Sequence, residues 1–164
     1  MVKVLLLLIT VAVVALDQVT KRWITTNMEL GESNVIVENF LYITYHRNSG
    51  AAWGILQDWM IFFYVITVIA VIGILVWLYK LNIRKNRVLA VALVIILGGA
   101  LGNFVDRVMY RSVIDFIHTV WWGYNFPIFN VADMALVCGV ILMMIDVIFI
   151  DRKKSKDLYF KMDR

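Results

Sequence analysis

Two carboxylates carry most of the chemistry this chain could perform. Asp115 lies in the run Val113-Ile114-Asp115-Phe116-Ile117, and Asp133 lies in Phe129-Asn130-Val131-Ala132-Asp133, each among apolar neighbours. Loss of surrounding water disfavours the charged form, so the setting of Asp115 predicts a raised pKa, and Asp133 sits in similar company. Two such acids brought together cannot both ionise cheaply and would share one proton. The ionised member could then take a proton from an attacking water while the protonated member donates to a peptide carbonyl, without a covalent intermediate. Otherwise both acids are merely structural; only the fold decides whether they meet.

Other reactive chemistries find few residues. Cys138 is the single cysteine and His46 and His118 are the only histidines. No CxxC pair, HExxH helix or GxSxG turn can be drawn, which argues against a disulfide framework, a zinc site or a serine or thiol nucleophile. Neither metal nor cofactor is expected. Cys138, inside an apolar run, reads as packing, and His118 as an exposed residue at a strand end.

The elements that must position the two acids are membrane spans. The 164 residues are 62% hydrophobic and only 17% charged, with a mean hydropathy of +0.82, more apolar than a soluble domain of this length can hide. One Pro, nine Gly and no repeat or low-complexity tract indicate a single domain over 1–164. A span needs about 20 apolar residues. The pattern predicts helices over about 4–22, 59–79, 88–106 and 128–150, with external segments at about 30–57 and 107–126 and a basic tail at 151–164. The net charge of +4 belongs to membrane ends rather than to a nucleic-acid surface: Lys80, Arg84, Lys85 and Arg87 form one acid-free cluster, and the tail forms another. The positive-inside bias then places both termini in the cytoplasm. A cleavable signal peptide fits the first residues loosely, but its removal would leave the two basic segments on opposite sides of the membrane.

Polar residues gather at one end of these spans. Asp17 and Lys21, Asn103 with Asp106 or Arg107, and Asn130 with Asp133 are each spaced to share a helical face. Because a charge in a span costs about 2.5–3.5 kcal/mol, the stripes are expected to face one another or a water-filled cleft. For Asp17 and Lys21 a simple pair at a helix end is an equal alternative. Pro127 suits a helix's first turn, and Asp146 reads as an interfacial or locally paired acid. Outside the spans, Val35-Ile36-Val37, Phe40 to Tyr45 and Val113 to Trp122 are rich in strand-forming residues. The small residues after His46 suit a tight turn or a close approach to something bound. Two rivals to a hydrolase from other classes are a transporter or proton-relay subunit and a non-enzymatic binding factor; against the first, the polar residues stop at one leaflet.

Taken in order, Asp17-Gln18-Val19-Thr20-Lys21, Asn48 to Gly54, Gly99 to Arg107, Val113 to Phe116 and Phe129 to Asp133 resemble the lipoprotein signal peptidases, also called signal peptidase II. The resemblance spans nearly the whole chain. It implies an all-α membrane fold with a small β part: four transmembrane helices, and an extracytoplasmic β-cradle with a short helix or lid. It implies that Asp115 and Asp133 form an aspartic catalytic dyad, supported by Asp17, Lys21, Asn48, Gly50, Asn103, Asp106, Arg107, Asn130 and Ala132. The implied substrate is a prolipoprotein cut just before a cysteine carrying diacylglycerol. The implied setting is the bacterial cytoplasmic membrane, with substrate and lipid as partners, no nucleic acid, and a monomeric enzyme. Met134 departs from the family, which commonly has a small hydroxyl residue there.

Overall fold

The structure is a computed structural model that describes residues 1–51 and 55–151. Four long helices dominate it: α1 Val2–Asn27, α2 Met60–Lys80, α3 Arg87–Tyr110 and α4 Val131–Ile145, the last continuing as a π-helical turn over Asp146–Asp151. All four are long and apolar enough to cross a membrane, α4 with its extension through Phe149. In hydrocarbon an unpaired backbone group costs several kcal/mol, so such segments close each N–H onto their own helix. The expectation of four apolar helices with a small β part is borne out. The basic tail after Asp151 lies outside the described residues, as do Ala52, Trp53 and Gly54 of the expected external segment at about 30–57; 55–58 form a turn.

α3 is the hub. Leu89, Ala90, Ala92, Leu93, Val94, Leu97 and three glycines of this helix are buried, whereas α2 buries only Phe63. Without a hydrophobic force between helices in lipid, close approach by small residues is what holds them. A methyl group at Gly99 would lie 2.5 Å from the Ala132 carbonyl, and one at Gly102 would lie 2.6 Å from Asp17 Oδ2. Lower down, Thr10 Oγ1 donates to the Val94 carbonyl at 3.1 Å, tying α1 to α3.

Three boundaries differ from the sequence pattern, the simplest being the end of α3, which runs past 106 to Tyr110. α1 runs on to Asn27 because Asp17 and Lys21 pair inward rather than ending the helix. α4 starts after Asn130, so Pro127 precedes the helix: Asn130 caps it through a reciprocal box with Asp133, and Phe129 is held back in a bridge to Ile117. Asp133 is therefore in the first turn. Asp146 is buried, not interfacial, and its Oδ1 has no partner among the described residues. It lies two turns beyond Gly139, on the face packed against Ala92 and Ile96 of α3.

Over one end of the bundle lies a sheet, β1 Ser33–Val37, β2 Leu41–Asn48, β3 Val113–Trp121 and β4 Tyr124–Asn125, antiparallel in the order β1-β2-β3-β4. Alternation along β3 divides its side chains. Ile114 and Phe116 pack with Tyr45 on Ile24 and Met28 at the end of α1, which turns Asp115 to the other face, toward α3 and α4. His118 is half-buried within β3 rather than at a strand end, with Nδ1 3.3 Å from Thr44 Oγ1 and its ring beside Tyr42. Cys138 is exposed, not packed; where lipid is the solvent, an apolar residue need not be inside.

Candidate active site

Asn130 joins the two acids. Its side-chain Nδ2 donates to Asp115 Oδ1 at 2.6 Å, while its backbone N–H donates to Asp133 Oδ2 at 3.1 Å. Asp133 Oδ1 accepts from Asn103 Nδ2 at 2.7 Å, and Asn103 Oδ1 in turn accepts from Asn130 Nδ2 at 3.1 Å. On the strand side, Asp115 Oδ2 accepts from Asn48 Nδ2 at 3.1 Å. Residues far apart in the chain, from β2, α3, β3 and α4, thus converge on two carboxyl groups.

Burial, and then the neighbouring charge of Asp133, push the Asp115 carboxyl up to about 7. Hydrogen bonds from Asn48 and Asn130 oppose that rise without cancelling it. Asp133 sits in the first turn of α4, where it closes the capping box with Asn130.

Beneath the pair lies a second, fully enclosed layer. Lys21 Nζ is 2.9 Å from both Asp17 Oδ2 and Asp106 Oδ2, and it donates to Asn103 Oδ1 at 3.0 Å. Asp17 Oδ1 accepts from the Ala132 backbone N–H at 2.9 Å, and Asp106 Oδ2 accepts from the Ile114 N–H at 3.0 Å. Each acid therefore fixes the strand or helix that carries one of the upper carboxyl groups, immediately next to it in sequence. Lys21, Asp17 and Asp106 are all essentially without solvent exposure, so the alternative of a surface pair at a helix end does not describe them.

Gln18 belongs to this layer although nothing in its sequence setting marks it: Nε2 donates to Asp106 Oδ1 at 2.9 Å and to the Gly102 carbonyl at 3.2 Å. Tyr64 is a second such residue, donating to the Arg107 carbonyl at 2.7 Å and thereby attaching α2. The Arg107 guanidinium lies over the Phe63 ring at 4.5 Å, and its buried Nε has no partner among the described residues. Gly50 is close to its own loop: its N–H donates to Asn48 Oδ1 at 2.9 Å, and a methyl group there would meet the Ile55 carbonyl at 2.6 Å. Its small size thus serves to orient Asn48.

Asp115, Asp133, Asn103 and Arg107 open onto a cavity of about 690 Å³ that continues between α2 and α4 past Ile66, Ala70, Met134 and Val137. One wall is polar, the rest hydrocarbon. No group of residues suited to hold a metal ion is found among the described residues.

Known proteins share this arrangement of sequence and fold. Residues 9–149 match the family described as Signal peptidase (SPase) II. The lipoprotein signal peptidase of Listeria welshimeri is 51% identical over 151 residues, covering 92% of this chain and 97% of that protein. That of Bacillus pumilus is 51% identical over 150 residues, covering 92% and 96%. A solved bacterial membrane enzyme, determined by the in meso method at 2.3 Å resolution, superposes with a TM-score of 0.81 at 48% identity, covering 87% of this chain and 86% of that one. With a family match across most of its length and this degree of identity, the chain belongs to the signal peptidase II family of multi-pass membrane peptidases.

Proposed function

We propose that Asp115 and Asp133 act as one dyad that hydrolyses the peptide bond just before a diacylglyceryl-modified cysteine, releasing the signal peptide of a prolipoprotein. The observation that carries this reading is the bridge through Asn130, which holds two buried carboxyl groups against the same cavity. A water between them attacks the carbonyl carbon. Asp133 takes its proton, and Asp115, protonated below about pH 7, donates to the carbonyl oxygen. The tetrahedral intermediate then collapses as the C–N bond breaks: Asp133 passes the proton it took from water to the departing nitrogen, and the oxygen protonated by Asp115 returns that proton as the carbonyl re-forms. Arg107 lines the same cavity, and its guanidinium is placed to hold a substrate carbonyl.

The cavity's shape supports the lipid requirement. Its apolar walls between α2 and α4 suit acyl chains that arrive through the membrane, while the polar end meets the peptide. Lys80, Arg84, Lys85 and Arg87 lie at the end of the bundle opposite the sheet, so the positive-inside bias supports a cytoplasmic position for them and an extracytoplasmic one for the dyad, in the bacterial cytoplasmic membrane. A single chain contains every residue named here, which supports a monomeric enzyme. A proton-relay reading gains nothing: from Val137 to Ile145, α4 has no ionised side chain to continue a path from Asp133.

Purified enzyme given one prolipoprotein peptide in lipidated and unlipidated forms tests reaction and substrate together. Cleavage before the cysteine of the lipidated form alone is expected. Equal cleavage of both would remove the lipid from the account.

A further inference from the structure

We propose that the far end of the sheet is a membrane anchor, with Trp121 and Trp122 seated in the headgroup region of the lipid leaflet nearest the dyad. The inference rests on the path of β3. Over four consecutive positions this strand touches the ends of three helices. The Ile114 N–H is held by Asp106 of α3, Ile114 and Phe116 pack on Ile24 and Met28 of α1, Asp115 is held by the cap residue of α4, and Ile117 bridges Phe129 just ahead of α4. A strand that crosses three helix ends in succession lies across the bundle, parallel to the membrane plane, instead of rising from it. At about 3.3 Å per residue, the part of β3 beyond Ile117 overhangs the surrounding lipid by roughly 13 Å.

That overhang is built of the residues favoured at a membrane–water interface. Trp122 is 97% exposed and Trp121 46%. Phe40, from the turn between β1 and β2, packs edge-on against Trp121 at 5.1 Å, and Ile36 and Val37 at the end of β1 are exposed as well. From Thr119 to Phe129 the sequence holds no charged residue. An exposed apolar patch of this kind marks a contact surface rather than ordinary protein exterior.

The turn itself strengthens the argument. Trp122 (φ 48°) and Gly123 (φ 82°) both adopt left-handed conformations, as the two central residues of a type I′ hairpin do, where Asn or Gly is preferred in the first place. A bulky aromatic at that position is strained, and folding alone would not select it. A lipid interface gives it a role. By fixing the height of β3, the anchor would hold Asp115 at the depth where a lipidated cysteine lies.

Tryptophan depth measurements in vesicles of phosphatidylcholine and phosphatidylglycerol test this without substrate, so the result is independent of the peptidase reading. In a variant with Trp23, Trp53, Trp59 and Trp77 replaced by Phe, the remaining emission from Trp121 and Trp122 should be quenched severalfold more by lipids brominated near the glycerol end of their chains than by aqueous iodide. Emission quenched freely by iodide and untouched by brominated lipid would overturn the proposal, as would emission shielded from both, the mark of a protein partner. If that variant does not fold, a nitroxide on Trp122→Cys in a Cys138→Ser background gives the same decision, from its relative collision with oxygen and with an aqueous nickel chelate.

Discussion

At Asp115, the environment that suits a proton donor also opposes folding. Its carboxyl is raised from 3.8 to about 7, so between about pH 4 and 7 the unfolded chain has released a proton that the folded chain still holds. Stability from this group is therefore highest in acid, falls as pH rises through that window, and is level above it. Asp115→Asn removes the titration. Relative to wild type, the variant should gain on the order of 4 kcal/mol between pH 4 and pH 8, measured by thermal unfolding in detergent at both pH values; a gap that does not change with pH would contradict this. Lys21 presents the opposite case. Replacing it with Met strands two enclosed carboxylates, Asp17 and Asp106, and should cost about 3–5 kcal/mol, seen as a lowered unfolding midpoint. Every polar residue of these two layers except Gln18 and Tyr64 was legible in the sequence. Those two escape because a glutamine beside an acid and a tyrosine in an apolar run have ordinary explanations, and their partners are on other helices.

For the elements, legibility follows what lipid demands. An uninterrupted apolar run identifies α2 almost to the residue and the start of α3, because hydrocarbon tolerates nothing else; α3 runs four residues past its expected end, to Tyr110. The start of α4 is less legible. Pro127 is a credible first-turn residue, but the Asn130–Asp133 capping box and the Phe129 bridge win, since they satisfy backbone groups that a helix begun earlier would leave open. Strand register is not readable either, and it is the register of β3 that aims Asp115 inward. Helix approach depends on hydrogen-sized side chains, two of which lie next to the site. Gly102→Ala would push against Asp17 Oδ2, and Gly99→Ala against the Ala132 carbonyl; each should destabilise by about 1–3 kcal/mol. Because Asp17 holds the Ala132 N–H, next to Asp133, both should also lower kcat more than they raise KM in a peptide cleavage assay. Wild-type kcat in both variants would show that helix approach at these points does not set the dyad's geometry.

The whole molecule reads as a rigid bundle that carries a water reaction to the edge of a solvent without water. α3 holds the other helices, the sheet spans their ends, and an ion layer centred on Lys21 locks strand to helix just below two carboxyl groups. The cavity has one polar end, at the two carboxyl groups, and apolar walls between α2 and α4. All of this has functional meaning only if the two acids work as a pair on one water molecule. The decisive measurement is single-turnover cleavage of a diacylglyceryl-modified prolipoprotein peptide by wild type, Asp115→Asn and Asp133→Asn, with peptide binding measured in parallel. Loss of either half of the acid–base pair should slow cleavage by at least about 10²–10⁴-fold while peptide binding persists. Cleavage at the wild-type rate in either variant, by correctly folded enzyme, would contradict the dyad.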